Sequence, residues 1–257
     1  GEGVAAPKAA ESATVLAHQI RGAPAIPYVI FVSSLAFALG SGMTVKFFPL
    51  FFKNSCRMTP IEVQAIYVAV PLIMVAFSGV GTRLSSRFGR AQTMVALKVV
   101  GVGLLACMAK LSDQWGLHTN DEGSGETVDM QSGQIVLLVA IYLLRTGLMN
   151  CTYPLEESIL MDFVPPQTRA RWKSLDSIGV FGWCGSAALG GVLADKYGYS
   201  FTFLITAYVQ AAATLMQASL IFIVPRSEKQ DPAKDATVSP LNAAPAPHDV
   251  EADHSIQ

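Results

Sequence analysis

Charge is scarce in this chain. Only 14% of its 257 residues are Asp, Glu, Lys or Arg, well below the roughly 25% of soluble domains. The net charge is −1, so no basic footprint points to nucleic acid. Histidine is sparse too: His18, His118, His248 and His254 all lie outside the long apolar stretches. That excludes a buried histidine relay. Cysteine is limited to Cys56, Cys107, Cys151 and Cys184, too scattered for a metal motif or a disulfide framework, so they read as buried small residues. No short signal-like segment precedes the first apolar stretch. The chain opens on Gly1, and an upstream part of a longer protein is expected.

What the chain has instead is length in its apolar runs. Six segments fill residues 27–225, each near the 20 or so residues that a helix needs to cross a bilayer. Pro27 to Val45, Val63 to Thr82, Ser177 to Ala194 and Phe201 to Val224 hold no charge. Ala91 to Leu111 is interrupted by Lys98 and Lys110, and Gln134 to Phe163 carries Arg145, Glu156, Glu157 and Asp162. In lipid the backbone must satisfy its own hydrogen bonds, so the segments are helices. Their expected bounds are 27–52, 60–83, 91–111, 134–163, 172–194 and 199–224.

Punctuation supports these bounds. Thr59-Pro60-Ile61-Glu62 offers an N-cap, a proline at the first helical position and the acid of a capping box. Pro165-Pro166 and Pro225 end the fourth and sixth helices, and Pro71 and Pro154 favour kinks. Residues 1–26 read as an approach segment. Residues 226–257, rich in Ala, Pro, Asp and Glu, read as a disordered tail. Arg83, Arg87 and Arg90 follow the second segment, and Arg169, Arg171 and Lys173 follow the fourth. The loop at 112–133 is acidic. The excess of bases puts the two basic loops, and with six crossings both termini, in the cytoplasm.

One pattern occurs twice. Gly81-Thr-Arg-Leu84-Ser-Ser86-Arg87-Phe88-Gly89 is echoed 109 residues later by Gly190-Gly-Val-Leu193-Ala-Asp195-Lys196-Tyr197-Gly198. The copies fall on opposite sides of the membrane, as two inverted three-helix units require. The stretch from Gly81 to Arg90 resembles the loop signature of the major facilitator superfamily, roughly Gly-x-Leu-x-Asp-Arg-x-Gly-Arg-Arg, and Gly190 to Gly198 resembles its degenerate partner. Met161-Asp162-Phe163-Val164-Pro165 with the following Arg169-Ala-Arg171-Trp172 resembles a loop between the fourth and fifth helices of one half. Ser86 stands where that superfamily usually has Asp, and Ala91 where it has a second base. The resemblance implies half of a twelve-helix fold, with the tail suggesting the carboxy-terminal half and an amino-terminal six-helix half as partner.

Ionisable groups inside lipid usually face a cavity or a partner. Arg145 is the sharpest case, near the middle of its segment. At about 100° per residue, Tyr142, Arg145, Met149, Thr152 and Glu156 share one face. Arg145 then either contacts an anionic or polar solute or pairs with a neighbouring helix or with the missing half. Tyr142, Asn150, Thr152 and Lys46 join it as candidate solute contacts, although Lys46 can also snorkel outward, as Lys98 can inward. Arg83, Arg87, Arg90, Glu156, Glu157, Asp176 and Asp195 form the candidate gating and charge network. Within it, the bases of 83–90 are expected to meet Asp176 or Glu157, and Glu156 or Glu157 to meet Arg169, Arg171 or Lys173.

These readings converge on an all-α membrane protein that moves a small polar or anionic solute by alternating access, with a proton as candidate coupling ion. No cofactor, metal or catalytic residue is expected. A protease of the rhomboid type would need a membrane histidine. The alternative is a non-transporting receptor or scaffold of the same fold.

Overall fold

The computed structural model describes residues 25–117, 132–164 and 166–223, which are helices and the joints between them. Helix α1, Ala25–Val45, continues through a helical turn at Phe48–Leu50 and a wide turn at Phe51–Ser55. Then come α2 (Pro60–Phe88), α3 (Arg90–Gln114), α4 (Ser132–Asn150), α5 (Tyr153–Phe163), the short α6 (Arg169–Ser174) and α7 (Asp176–Ala218). Among the described residues, five stretches are long and apolar enough to cross a membrane: Ala25–Ser55, Pro60–Phe88, Arg90–Gln114, Ser132–Phe163 and Arg169–Phe222. The approach segment and the tail lie outside the described residues, apart from Ala25 and Ile26, which already belong to α1. Pro225 and most of the acidic loop lie outside them too.

Local chemistry sets the boundaries. The Thr59 side chain accepts from the Glu62 backbone at 3.4 Å, and the Thr59 backbone N–H donates to the Glu62 carboxylate at 2.7 Å. This is the reciprocal cap expected from the sequence. The fourth expected helix is interrupted. It breaks at Cys151–Thr152 and resumes with Pro154 in its first turn, because proline has no N–H to give to the preceding turn. The expected loop at 83–90 is not a loop. Helix α2 runs to Phe88, α3 starts at Arg90, and Gly89 alone makes the joint at φ 97°, ψ 150°.

The second copy of the motif ends the same way. Gly198 sits inside α7 at φ 83°, ψ 168°, a non-helical break that a side chain would strain. The segments before and after it both reach the same turn of α1. A Cβ on Gly42 would strike Trp183 and Ser186, whereas one on Gly40 would meet Gln210, Val209 and Thr206. On an unbroken helix Trp183 and Gln210 would stand about 40 Å apart. The chain therefore reverses at Gly198, and α7 is a hairpin of two helices.

Apolar residues gather at both ends of the bundle. At one end, Phe48, Phe51, Phe52, Leu105, Tyr142 and Phe203 pack together; at the other, Ile26, Ile30, Met94, Ile159 and Leu220 do. The outside is apolar as well. Val68, Leu72 and Val75 share one face of α2 at 69–75% exposure, a surface suited to hydrocarbon rather than water. Between the two apolar clusters lie the buried side chains of Lys98, Arg145, Glu156 and Gln210.

Candidate functional site

A cavity of about 890 Å³ runs between α1, α2, α4, α5 and both parts of α7, with Lys98 contributed by α3. Most of its wall is aliphatic or aromatic. Tyr142, Arg145, Met149, Thr152 and Glu156, the face expected from helical spacing, all line it, and so does Asn150. Two polar clusters interrupt the apolar wall.

The first cluster centres on Lys98 of α3. Its ammonium donates to Glu156 of α5 at 2.7 Å and to the Gln217 side-chain carbonyl of α7 at 2.8 Å. Gln217 returns its amide to the other Glu156 oxygen at 3.2 Å, and the Ser34 hydroxyl of α1 also donates to that oxygen. The Phe37 ring lies 4.3 Å from the ammonium. This corrects one expectation. Lys98 does not snorkel, because a carboxylate meets it inside the bundle. Of the two acids expected to reach Arg169, Arg171 or Lys173, Glu157 does so at Lys173, while Glu156 meets Lys98.

The second cluster centres on Arg145 of α4, which is 5% exposed. One terminal nitrogen donates to the Gln210 side-chain carbonyl at 3.3 Å, and the guanidinium carbon lies 5.7 Å from the Phe48 ring centre. Gln210 gives its own amide to Ser41 at 3.1 Å. The Arg145 Nε has no hydrogen-bond partner. Among the described residues no carboxylate forms an ion pair with Arg145. The other candidate contacts are more occupied. Asn150 donates to the Thr146 carbonyl at 2.8 Å, Thr152 to the Met149 carbonyl at 2.7 Å, and the Tyr142 ring packs on Phe48 and Phe52. Lys46 is not part of the lining. It is exposed, with its ammonium 4.9 Å from the Trp183 ring centre.

The family model described as Major Facilitator Superfamily matches residues 18–248. The chain belongs to this superfamily. Comparisons with curated proteins and with solved structures gave no match. Membership makes it a transporter-type, multi-pass membrane protein with a small-molecule solute and membrane lipid as its partners.

The stretch that resembles the superfamily's loop signature lies where α2 meets α3. Arg90 pairs with Asp162 of α5 and bonds Ser158 on the same helix. Arg83 and Arg87 are exposed on the last turns of α2. Ser86, in the usual Asp position, donates to its own helix at the Arg83 carbonyl, 2.8 Å away. Glu157 and Asp176, expected opposite Arg83–Arg90, instead share Lys173, each at 2.9 Å. Lys173 is three residues from Asp176 across the α6–α7 joint, so it reaches both acids first. Arg169 holds the Met161 and Val164 carbonyls where α5 ends. Asp195 is exposed near Gly198, on the last turn of the leading helix of α7.

Sequence reasoning missed Lys98 as a site residue and did not single out Ser34, Ser41, Gln210 or Gln217. A signal existed: Gln210 and Gln217 interrupt the last apolar segment seven residues apart, and Ser34 and Ser41 repeat that spacing in the first. Seven residues is about two turns, so each pair lies on one face.

Proposed function

We propose that this superfamily member is a secondary transporter that moves a small polar or anionic solute by alternating access. Arg145 carries the reading. A buried guanidinium without a carboxylate is costly in a membrane interior, and a passing solute is the natural source of the missing charge. The reading takes the α7 hairpin as two crossings, giving six, with both termini and the Arg90 end cytoplasmic on the strength of the basic loops.

Two inverted three-helix repeats are supported by contacts that recur at the interval of the motif. Gly40 approaches Gln210, and 109 positions on, Met149 approaches Gly101. Gly190 packs on Met43, while Gly81 packs on Cys151, one residue off the same interval. Gly89 and Gly198, also 109 apart, share one backbone conformation. Exchanging the first three crossings with the last three therefore maps these contacts onto one another, and such repeats are the usual framework for rocking around a central site.

The test is solute flux in proteoliposomes under an imposed pH gradient, with Arg145→Ala beside the parent protein. Loss of flux in a variant with a normal melting temperature supports the proposal. Full flux through a stable Arg145→Ala protein sinks it. Solute binding without flux in the parent points to a receptor of the same fold.

A further inference from the structure

The two polar clusters are built alike. On α1, Ser34 and Ser41 lie two turns apart; on the trailing helix of α7, so do Gln217 and Gln210. Each level thus has a serine from α1, a glutamine from α7 and one cation, Lys98 or Arg145. At the Lys98 level the set is completed by the Glu156 carboxylate, which takes bonds from the cation, the glutamine and the serine together. At the Arg145 level the chain supplies no carboxylate among the described residues, and the Nε donor is unmet. The Thr146 hydroxyl, next to Arg145 on α4 and lining the same cavity, is also buried without a partner.

We infer that the cavity binds an organic monoanion whose carboxylate lies on Arg145 and whose remaining body is apolar. The inference rests on the transporter reading only for its consequence, since binding can be measured without flux. A carboxylate at Arg145 repeats what Glu156 does at Lys98, and the planar guanidinium presents paired donors that match a carboxylate. A single charge follows from the other ionisable groups around the cavity. Lys98 and Glu156 close on each other, and Lys173 is shared by Glu157 and Asp176. Among the described residues Arg145 is then the buried cation left over. A second carboxylate on the ligand would be desolvated against walls such as Val45, Phe48, Val70 and Met74 with no cation to meet it. Those walls are what an alkyl or aryl body requires, and a cavity of about 890 Å³ holds one easily.

The experiment uses the purified protein in detergent and a matched set of probes: hexanoate, its neutral amide hexanamide, hexylamine and the dianion adipate. Hexanoate is expected to raise the melting temperature, with the other three inactive at the same concentration. In Arg145→Gln the affinity for hexanoate should fall on the order of tenfold to a hundredfold, the usual worth of hydrogen bonds to a charged group. If that variant does not fold, Arg145→Lys keeps the charge and should still weaken binding, because it loses the fork. Equal stabilisation by hexanamide or adipate overturns the inference, as does undiminished hexanoate binding in a folded Arg145→Gln or Arg145→Lys protein. Flux of a cation or sugar that hexanoate does not compete would also overturn it while leaving the transporter reading intact. Arg145-dependent hexanoate binding without any flux upholds the inference and removes the transporter reading.

Discussion

Two lysine–carboxylate contacts in this molecule have nearly the same length and opposite surroundings. Lys98 meets Glu156 at 2.7 Å with side chains 5% and 10% exposed. Lys173 meets Glu157 at 2.9 Å with side chains 53% and 40% exposed, and Asp176 at the same distance. Distance therefore does not rank them; access to water does. In the bundle interior the attraction is strong, but each charge is stranded if the other is removed. At the exposed end, water and salt replace either partner at little cost. The first pair is suited to fixing α3 against α5 and α7. The second is suited to contacts that form and part as helix ends move.

The buried pair offers the largest effect. Lys98→Met or Glu156→Gln alone should destabilise the protein by about 3–5 kcal/mol, the cost of an uncompensated buried charge or its lost partners. The double variant should recover most of that loss, since a neutral pair strands nothing. Melting temperatures of the three variants in one detergent read this directly. Additive losses in the double variant would mean that the two residues do not act as a pair and would break the comparison.

Arg90 and Asp162 fall between the extremes, at 17% and 38% exposure. Their pair joins the α2–α3 joint to α5, and Ser158 takes a further bond from Arg90. Arg90→Ala should cost about 1 kcal/mol of stability, near the top of the range for exposed pairs. Because it links elements at one end of the cavity, it should change maximal flux more than apparent solute affinity. A pure affinity loss with unchanged maximal flux would assign Arg90 to binding instead.

The sequence made local features legible and left most pairings hidden. The Thr59–Glu62 cap and the break before Pro154 depend on residues within one turn. The joints at Gly89 and Gly198 were visible as a repeated motif. Arg145 stood out because a charge at mid-segment has few explanations, and helical spacing alone put its neighbours on the cavity face. Lys98 was read as snorkelling because its partner is 58 residues away and depends on how α3 packs against α5. Glu156 and Glu157 illustrate the same limit. Adjacent residues on a helix point about 100° apart, so the two acids reach different partners. Which lysine each meets is decided by tertiary packing.

The exposed triad should give the smallest effect and the clearest contrast in kind. Lys173→Ala removes a charge shared by Glu157 and Asp176, yet all three side chains remain in contact with water, so the stability loss should stay below about 1 kcal/mol. What remains should depend on ionic strength. Raising salt shortens the Debye length from about 10 Å at 0.1 M to about 3 Å at 1 M. The difference in melting temperature between parent and Lys173→Ala should therefore shrink towards zero at high salt. The difference between parent and Lys98→Met should persist under the same conditions, because ions do not reach the buried pair. If both differences shrink together, the Lys98 pair is as open to solvent as the Lys173 triad. If neither does, the triad is held by packing of α6 against α7 rather than by charge, and Lys173→Met should then restore what Lys173→Ala loses.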